Sequence, residues 1–252
     1  MMNNVESFLP DGARFISEPR FGRNLRDGYV RGTGLAYGGT PTKIRAEADY
    51  QEAISLVAGR SICSEHRLMN LYLLIRFYAP KLPPGDIVEF GSYRGGSAIF
   101  MASLAKRYLP HAKVWGLDTF EGMPDTDLGV DLHVRGQFAD TNYDALNSYV
   151  DSIALPNLRF VKGRFEETTD VVLGEAQKLA LAHVDCDIQS AVVYTWDRIK
   201  PHMVPGGYVV YDDATEPSCL GATEAIEREL IQKDGLCSEQ IYPHFVFRYP
   251  PI

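Results

Sequence analysis

Cysteine is scarce in this chain: Cys63, Cys186, Cys219 and Cys237 are the only four in 252 residues. None forms a CxxC pair, which excludes a disulfide framework and fits reduced thiols in a cytoplasmic protein. Long hydrophobic runs are missing too; nothing approaches the ~18–20 apolar residues needed to span a bilayer. The N-terminal MMNNVESFLPDGARF has no apolar core and carries acids early, so no signal peptide is expected. Basic excess is also absent. With 25 Lys+Arg against 33 Asp+Glu, the net charge is −8 and the pI is near 5.3. Such a chain has no overall pull toward nucleic acid or anionic lipid.

What remains is the composition of an ordinary globular protein, 45% hydrophobic and 23% charged, enough to bury a core. Residues 1–60 read as an N-terminal arm or lid, and 61–252 as the main domain. YVRGTGLAYGGTP, with four glycines ending at Pro41, argues against regular structure there. Arg14, Phe15, Arg20, Phe21, Arg23, Arg26, Tyr29 and Arg31 interleave basic and aromatic groups before it, a pattern suited to a lid or to an arm joining copies of a homodimer or larger homo-oligomer.

From Glu65 onward the chain alternates. EHRLMNLYLLIRFYA is an amphipathic helix with Ser64 as its N-cap. Strands are predicted at DIVEF, AKVWGLD, NLRFVKG, LALAHVD and VPGGYVVYDD, with helices of 10–15 residues between them. EQIYP and HFVFRYP close the chain as two further strands paired antiparallel. The expectation is an α/β fold with a mainly parallel, seven-stranded sheet, an antiparallel last strand and an N-terminal extension.

In such a sheet, ligands sit beyond the carboxyl ends of the strands, where strand order reverses. Acids stand at those ends: Glu89 near the first, Asp118 at the second, Asp185 at the fourth, and Asp212 with Asp213 at the fifth. The first turn, EFGSYRGGSA, places Gly91, Gly95 and Gly96 before a helix, spaced as neither GxGxxG nor a GK[ST] loop. Glu89 there would repel a pyrophosphate, so a ligand with a cationic amino-bearing tail fits better. Asp118 is placed to take ribose hydroxyls. Together these describe S-adenosylmethionine, with a dinucleotide as the competitor. Tyr93 and Phe120 are positioned to flank it or to pack as ordinary hydrophobics, while Arg94 and Arg164 lie in strand-end loops.

HVDCD and VYDDA bring Asp185, Asp187, Asp212 and Asp213 together if their strands are neighbours. Four crowded carboxylates call for a cation, and oxygen donors select a hard one such as Mg²⁺; simple capping of the following helices is the alternative. Cys186 points away from its aspartate neighbours and reads as packing. His133, His183 and His202 are bases by residue type alone, and His183 reads as a core histidine on the Asp185 side of its strand.

SEHRL, IVEFGSYRGGSA, GLDTFEGMP, VKGRFEET, HVDCD, VPGGYVVYDDA and SCLGATEAIE, in this order over residues 60–235, resemble the macrocin O-methyltransferase family. That resemblance implies a Rossmann-like class I methyltransferase fold and S-adenosylmethionine- and Mg²⁺-dependent methylation of hydroxyls, often on the sugars of natural products. It places the cofactor along Glu89, Phe90, Gly91, Ser92, Tyr93, Gly95 and Ser97, with Asp118, Thr119 and Phe120 at the ribose and Gly163, Arg164 and Phe165 at the adenine, and Asp185 at the reacting end. It makes Asp185, Asp212 and Asp213 the metal ligands and Asp187, beside Asp185, the catalytic base. The implied partner is a hydroxylated or glycosylated small molecule. Ile188-Gln189-Ser190-Ala191 departs from the family pattern at the acceptor rim. A DxD glycosyltransferase, an enzyme methylating a phenol, and a binding protein that kept the cofactor site are the competing readings.

Overall fold

The computed structural model describes residues 32, 34–36 and 39–251. The Arg- and aromatic-rich stretch before Gly32 lies outside them. Five parallel strands form the sheet: β1 (Asp86–Phe90), β2 (Val114–Asp118), β3 (Leu158–Lys162), β4 (Leu179–Val184) and β5 (Met203–Tyr211). A sixth, β6 (Phe245–Tyr249), runs antiparallel to β5. The order is β3-β2-β1-β4-β5-β6, so the chain reverses direction across the sheet between β1 and β4.

β1 and β4 are buried at every residue, as expected of central parallel strands covered on both faces. β3, at the edge, alternates buried Leu158 and Phe160 with exposed Arg159 and Lys162. Two hydrophobic layers follow. One holds Ile99, Phe100, Leu104, Leu146 and Phe160. The other holds Val88, Phe90, Trp115, Val192 and Trp196.

The seventh strand does not form among the described residues. EQIYP makes a single bridge, Gln240 to Val246. The Glu239 N–H reaches the Val246 carbonyl at 2.7 Å and the Val246 N–H is shared between the Gln240 carbonyl and the Ser238 hydroxyl, but pairing goes no further, and Pro243 has no N–H to give.

The glycine-rich stretch also differs from expectation. Residues 34–36 are helical, and α1 (Thr40–Arg45) carries Pro41 in its first turn, where a missing N–H costs nothing. α2 (Ala48–Leu56) follows. Leu35, Ile44, Tyr50, Ala53 and Val57 are buried in the first layer. α3 (Glu65–Leu73) starts where predicted, with the Ser64 hydroxyl accepting the Arg67 N–H.

Candidate active site

The strand reversal places the exits of β1 and β4 side by side. Gly91 follows β1 at φ +91°, and a Cβ there would stand 1.6 Å from the Asp185 carbonyl oxygen. Only glycine permits that approach. The turn then runs through Ser92 and Tyr93 to Gly95, left-handed at φ 78°, which caps α4 (Gly96–Tyr108). One carboxylate ties this turn to the next. Asp118, at the end of β2, accepts the Tyr93 N–H at 2.8 Å and the Phe120 N–H at 2.7 Å.

A cavity of about 220 Å³ opens over these turns. Of the residues expected at the cofactor, Gly91, Ser92, Tyr93, Ser97, Asp118, Thr119, Arg164, Phe165 and Asp185 line it, as does Asp187. Glu89, Phe90, Gly95, Phe120 and Gly163 do not. Glu89 lies within β1, fully buried, and its carboxylate is occupied by the Ser92 hydroxyl (2.7 Å) and His183 Nδ1 (3.0 Å). It thus supports the turn from beneath. Phe90 packs edge-on against Phe165 on the other face, and Phe120 lies tilted against Tyr143 and edge-on to Phe160. Gly95 sits under Phe160 and Leu146, and Gly163 lies against Thr168.

The lining also includes Arg60–Cys63, ahead of α3, and Met123, Pro124 and Phe138 from the long 119–142 loop. The EGMP motif marked that loop; nothing in the sequence marked Arg60–Cys63.

The register Val184 to Tyr211 brings Asp185 and Asp212 out together at the ends of β4 and β5. Their surroundings differ. Asp212 Oδ2 meets Arg67 Nη1 at 2.8 Å, and its Oδ1 accepts from His244 Nε2 at 2.8 Å, with His183 Nε2 at 3.5 Å. Burial opposes ionisation, yet the His183 and His244 partners prevail and hold this carboxyl well below the usual range. Burial likewise opposes protonation of His183, but the Asp212 and Glu89 carboxylates raise it to about 9. His244, which Asn70 holds at 3.0 Å, is lowered by burial. The expected core histidine therefore joins two acids.

Asp185 and Asp213 have no direct ion pair with a histidine or arginine among the described residues, although the Arg67 charge is felt at Asp213. Burial, then repulsion from neighbouring carboxylates, pushes both well above the usual range. Asp185 Oδ2 has a long contact from the Cys63 thiol, 3.8 Å. Asp213 Oδ2 turns inward and accepts the N–H groups of Cys186 (3.0 Å) and Asp187 (2.8 Å). Donor atoms of Cys63, Asp185 and Asp212 lie within 4.8 Å of one another; Asp213 is not part of that group. Asp185, buried and crowded by neighbouring carboxylates, offers the hard oxygen donor that a Mg²⁺-class ion takes, while Asp213 keeps one oxygen on the two amides.

Asp187 occupies the β4 exit turn in a left-handed conformation, φ 62°. Burial raises its carboxyl above the ordinary value. Cys219 Sγ lies 3.4 Å and His133 Nε2 3.6 Å from its Oδ1. His202 contacts the Gln177 carbonyl, far from the cavity lining, and Arg94 pairs with Asp140.

A sequence profile described as Macrocin-O-methyltransferase (TylF) matches residues 45–234. The chain is 29% identical over 166 residues to an 8-demethyl-8-(2,3-dimethoxy-alpha-L-rhamnosyl)-tetracenomycin-C 4'-O-methyltransferase of Streptomyces olivaceus, covering 62% of this chain and 63% of that protein. It is 29% identical over 168 residues to the mycinamicin III 3''-O-methyltransferase of Micromonospora griseorubida, covering 62% and 65%. The matches thus span just under two thirds of these relatives. The crystal structure of the calicheamicin methyltransferase CalS11 superposes with a TM-score of 0.64 at 20% identity, covering 93% of this chain and 100% of that one, and shares the fold.

Proposed function

Because the chain belongs to the macrocin O-methyltransferase family, we propose that it transfers a methyl group from S-adenosylmethionine to a hydroxyl on the sugar of a small natural product, with Mg²⁺. The observation that carries this is one cavity with Asp118 on the β2 side and Asp185 and Asp187 on the β4 side. A nucleoside and a hydroxylated acceptor therefore have their own acids on either side of the strand reversal. One relative is an O-methyltransferase of a rhamnosyl tetracenomycin and the other of mycinamicin III, which supports the acceptor class.

When bound, S-adenosylmethionine supplies a sulfonium methyl group as the electrophile. Mg²⁺ would be held by Asp185, Asp212 and Asp213 and would supply charge that eases loss of the acceptor's hydroxyl proton. Asp118 holds two turns through their amides and faces the ribose side. Tyr93 and Phe165 wall the cavity and exclude water. Asp187 accepts the acceptor's proton at its carboxylate, and its raised affinity for protons makes it a better base than an ordinary aspartate. Arg67 and His183 keep Asp212 ionised. Alignment of donor and acceptor in one cavity can account for ~7–11 kcal/mol of barrier lowering.

The test is calorimetric binding of S-adenosylhomocysteine against a panel of nucleotide sugars, followed by labelled methyl transfer to glycosylated acceptors. Binding of S-adenosylhomocysteine with labelled product is expected. Binding of nucleotide sugars alone would overturn the reading in favour of a glycosyltransferase.

A further inference from the structure

Beside the proposed Mg²⁺ carboxylates, a second cluster brings together donors of a different kind. His133 Nε2, Asp187 Oδ1 and Cys219 Sγ come from the 119–142 loop, the β4 exit turn and the residue before α8 (Leu220–Ala225). Their separations are 3.6 Å from N to O, 3.4 Å from S to O and 3.5 Å from S to N. With Zn–S near 2.3 Å and Zn–N and Zn–O near 2.0–2.1 Å, a tetrahedral ion puts sulfur about 3.5 Å from either partner and nitrogen about 3.4 Å from oxygen. The three atoms already stand at the edges of such a tetrahedron.

Two more features suit a metal ligand set. The other ring nitrogen of His133, Nδ1, lies 2.9 Å from Gln137 Oε1; this is the outer contact that orients a ligating histidine and leaves Nε2 for the metal. Cys219 is buried, while Asp187 lines the cavity, so the fourth position opens to solvent or substrate, as in three-ligand zinc sites.

We infer that His133, Asp187 and Cys219 form a site for a thiophilic divalent cation of the Zn²⁺ class, distinct from the Mg²⁺ carboxylates. Binding exchanges one proton for the ion. The Cys219 thiol releases its proton to solvent, and thiolate, carboxylate and neutral imidazole then balance the two positive charges. Mg²⁺ does not compete, because thiolate and imidazole are poor ligands for it. The ion joins three segments and fastens the loop over the cavity. It also takes up the carboxylate that serves as base, so occupancy inhibits methyl transfer; this last consequence rests on the function proposed above.

The experiment uses the full chain in excess Mg²⁺, titrated with Co²⁺ as the spectroscopic substitute for Zn²⁺. One equivalent should produce a thiolate-to-cobalt charge-transfer band that Zn²⁺ abolishes. Cys219→Ser should remove the band, Cys63→Ser should keep it, and His133→Ala should weaken Co²⁺ binding at least tenfold. No band in the wild type, a band surviving Cys219→Ser, or one lost in Cys63→Ser overturns the site. Should Cys219→Ser fail to fold, unchanged Co²⁺ affinity in His133→Ala is enough to overturn it. Zn²⁺ should also stop methyl transfer in the wild type and spare Cys219→Ser. If neither protein transfers methyl groups, the proposed function fails, and the cobalt spectrum still decides the site.

Discussion

The Asp118 carboxylate accepts the Tyr93 amide at 2.8 Å, so the acid at the end of β2 holds the turn that leaves β1. The same side chain also holds Phe120 at 2.7 Å. The shape of the cavity floor therefore depends on this one carboxylate.

Asp118→Ala should weaken S-adenosylhomocysteine binding by roughly 10–100-fold, since hydrogen bonds to charged groups contribute ~1.5–3 kcal/mol each. Calorimetric titration checks this. Asp118→Asn should recover only part of the loss, because the amide keeps one acceptor oxygen for two N–H donors.

Gly91→Ala should destabilise the fold by at least ~2–4 kcal/mol, combining overpacking with a left-handed β-carbon. Its Cβ would stand 1.6 Å from the Asp185 carbonyl. Urea unfolding of the mutant against Gly174→Ala, where nothing lies within 4 Å of the added carbon, measures the difference.

Asp187 must be ionised to accept a proton, and burial raises its carboxyl above the ordinary value of 3.8. Activity should accordingly be full well above the raised value and fall as pH drops through it. The acid limb of kcat/KM should therefore lie above the range of an exposed aspartate. Asp187→Asn should lose at least ~100-fold in kcat, within the usual contribution of a general base, with S-adenosylhomocysteine affinity retained. Unchanged turnover would remove Asp187 as the base.

Chelation with EDTA should abolish methyl transfer, and Mg²⁺ should restore it. An Asp212→Ala/Asp213→Ala double variant should be inactive at any Mg²⁺ concentration. Activity that survives either treatment would end the metal assignment.

Most of the sheet was legible because central parallel strands are short apolar runs stopped by acids, as in DIVEF and VYDD. The acids themselves marked the cavity. What balances them did not show. Arg67 and His244 reach Asp212 from α3 and from just before β6, and separations of 145 and 32 residues carry no spacing signal. Among the described residues the seventh strand shrinks to the Gln240–Val246 bridge, and a segment as short as EQIYP, followed by a proline, gives no sequence signal of where its pairing stops. Pro41 read as a stop because the same residue ends or begins a helix depending on which side the helix lies.

The contact of Gly91 with the Asp185 carbonyl joins the two halves of the cavity main chain to main chain. The relative position of the two strand exits is thereby set by backbone rather than by rotamers. The 119–142 loop and the Ile188–Ala191 segment supply the outer walls and are joined to each other by the Gln189 N–H on Asp131. Under the proposed function, acceptor preference can be remodelled there by loop replacement while the floor formed by the two strand exits stays as it is.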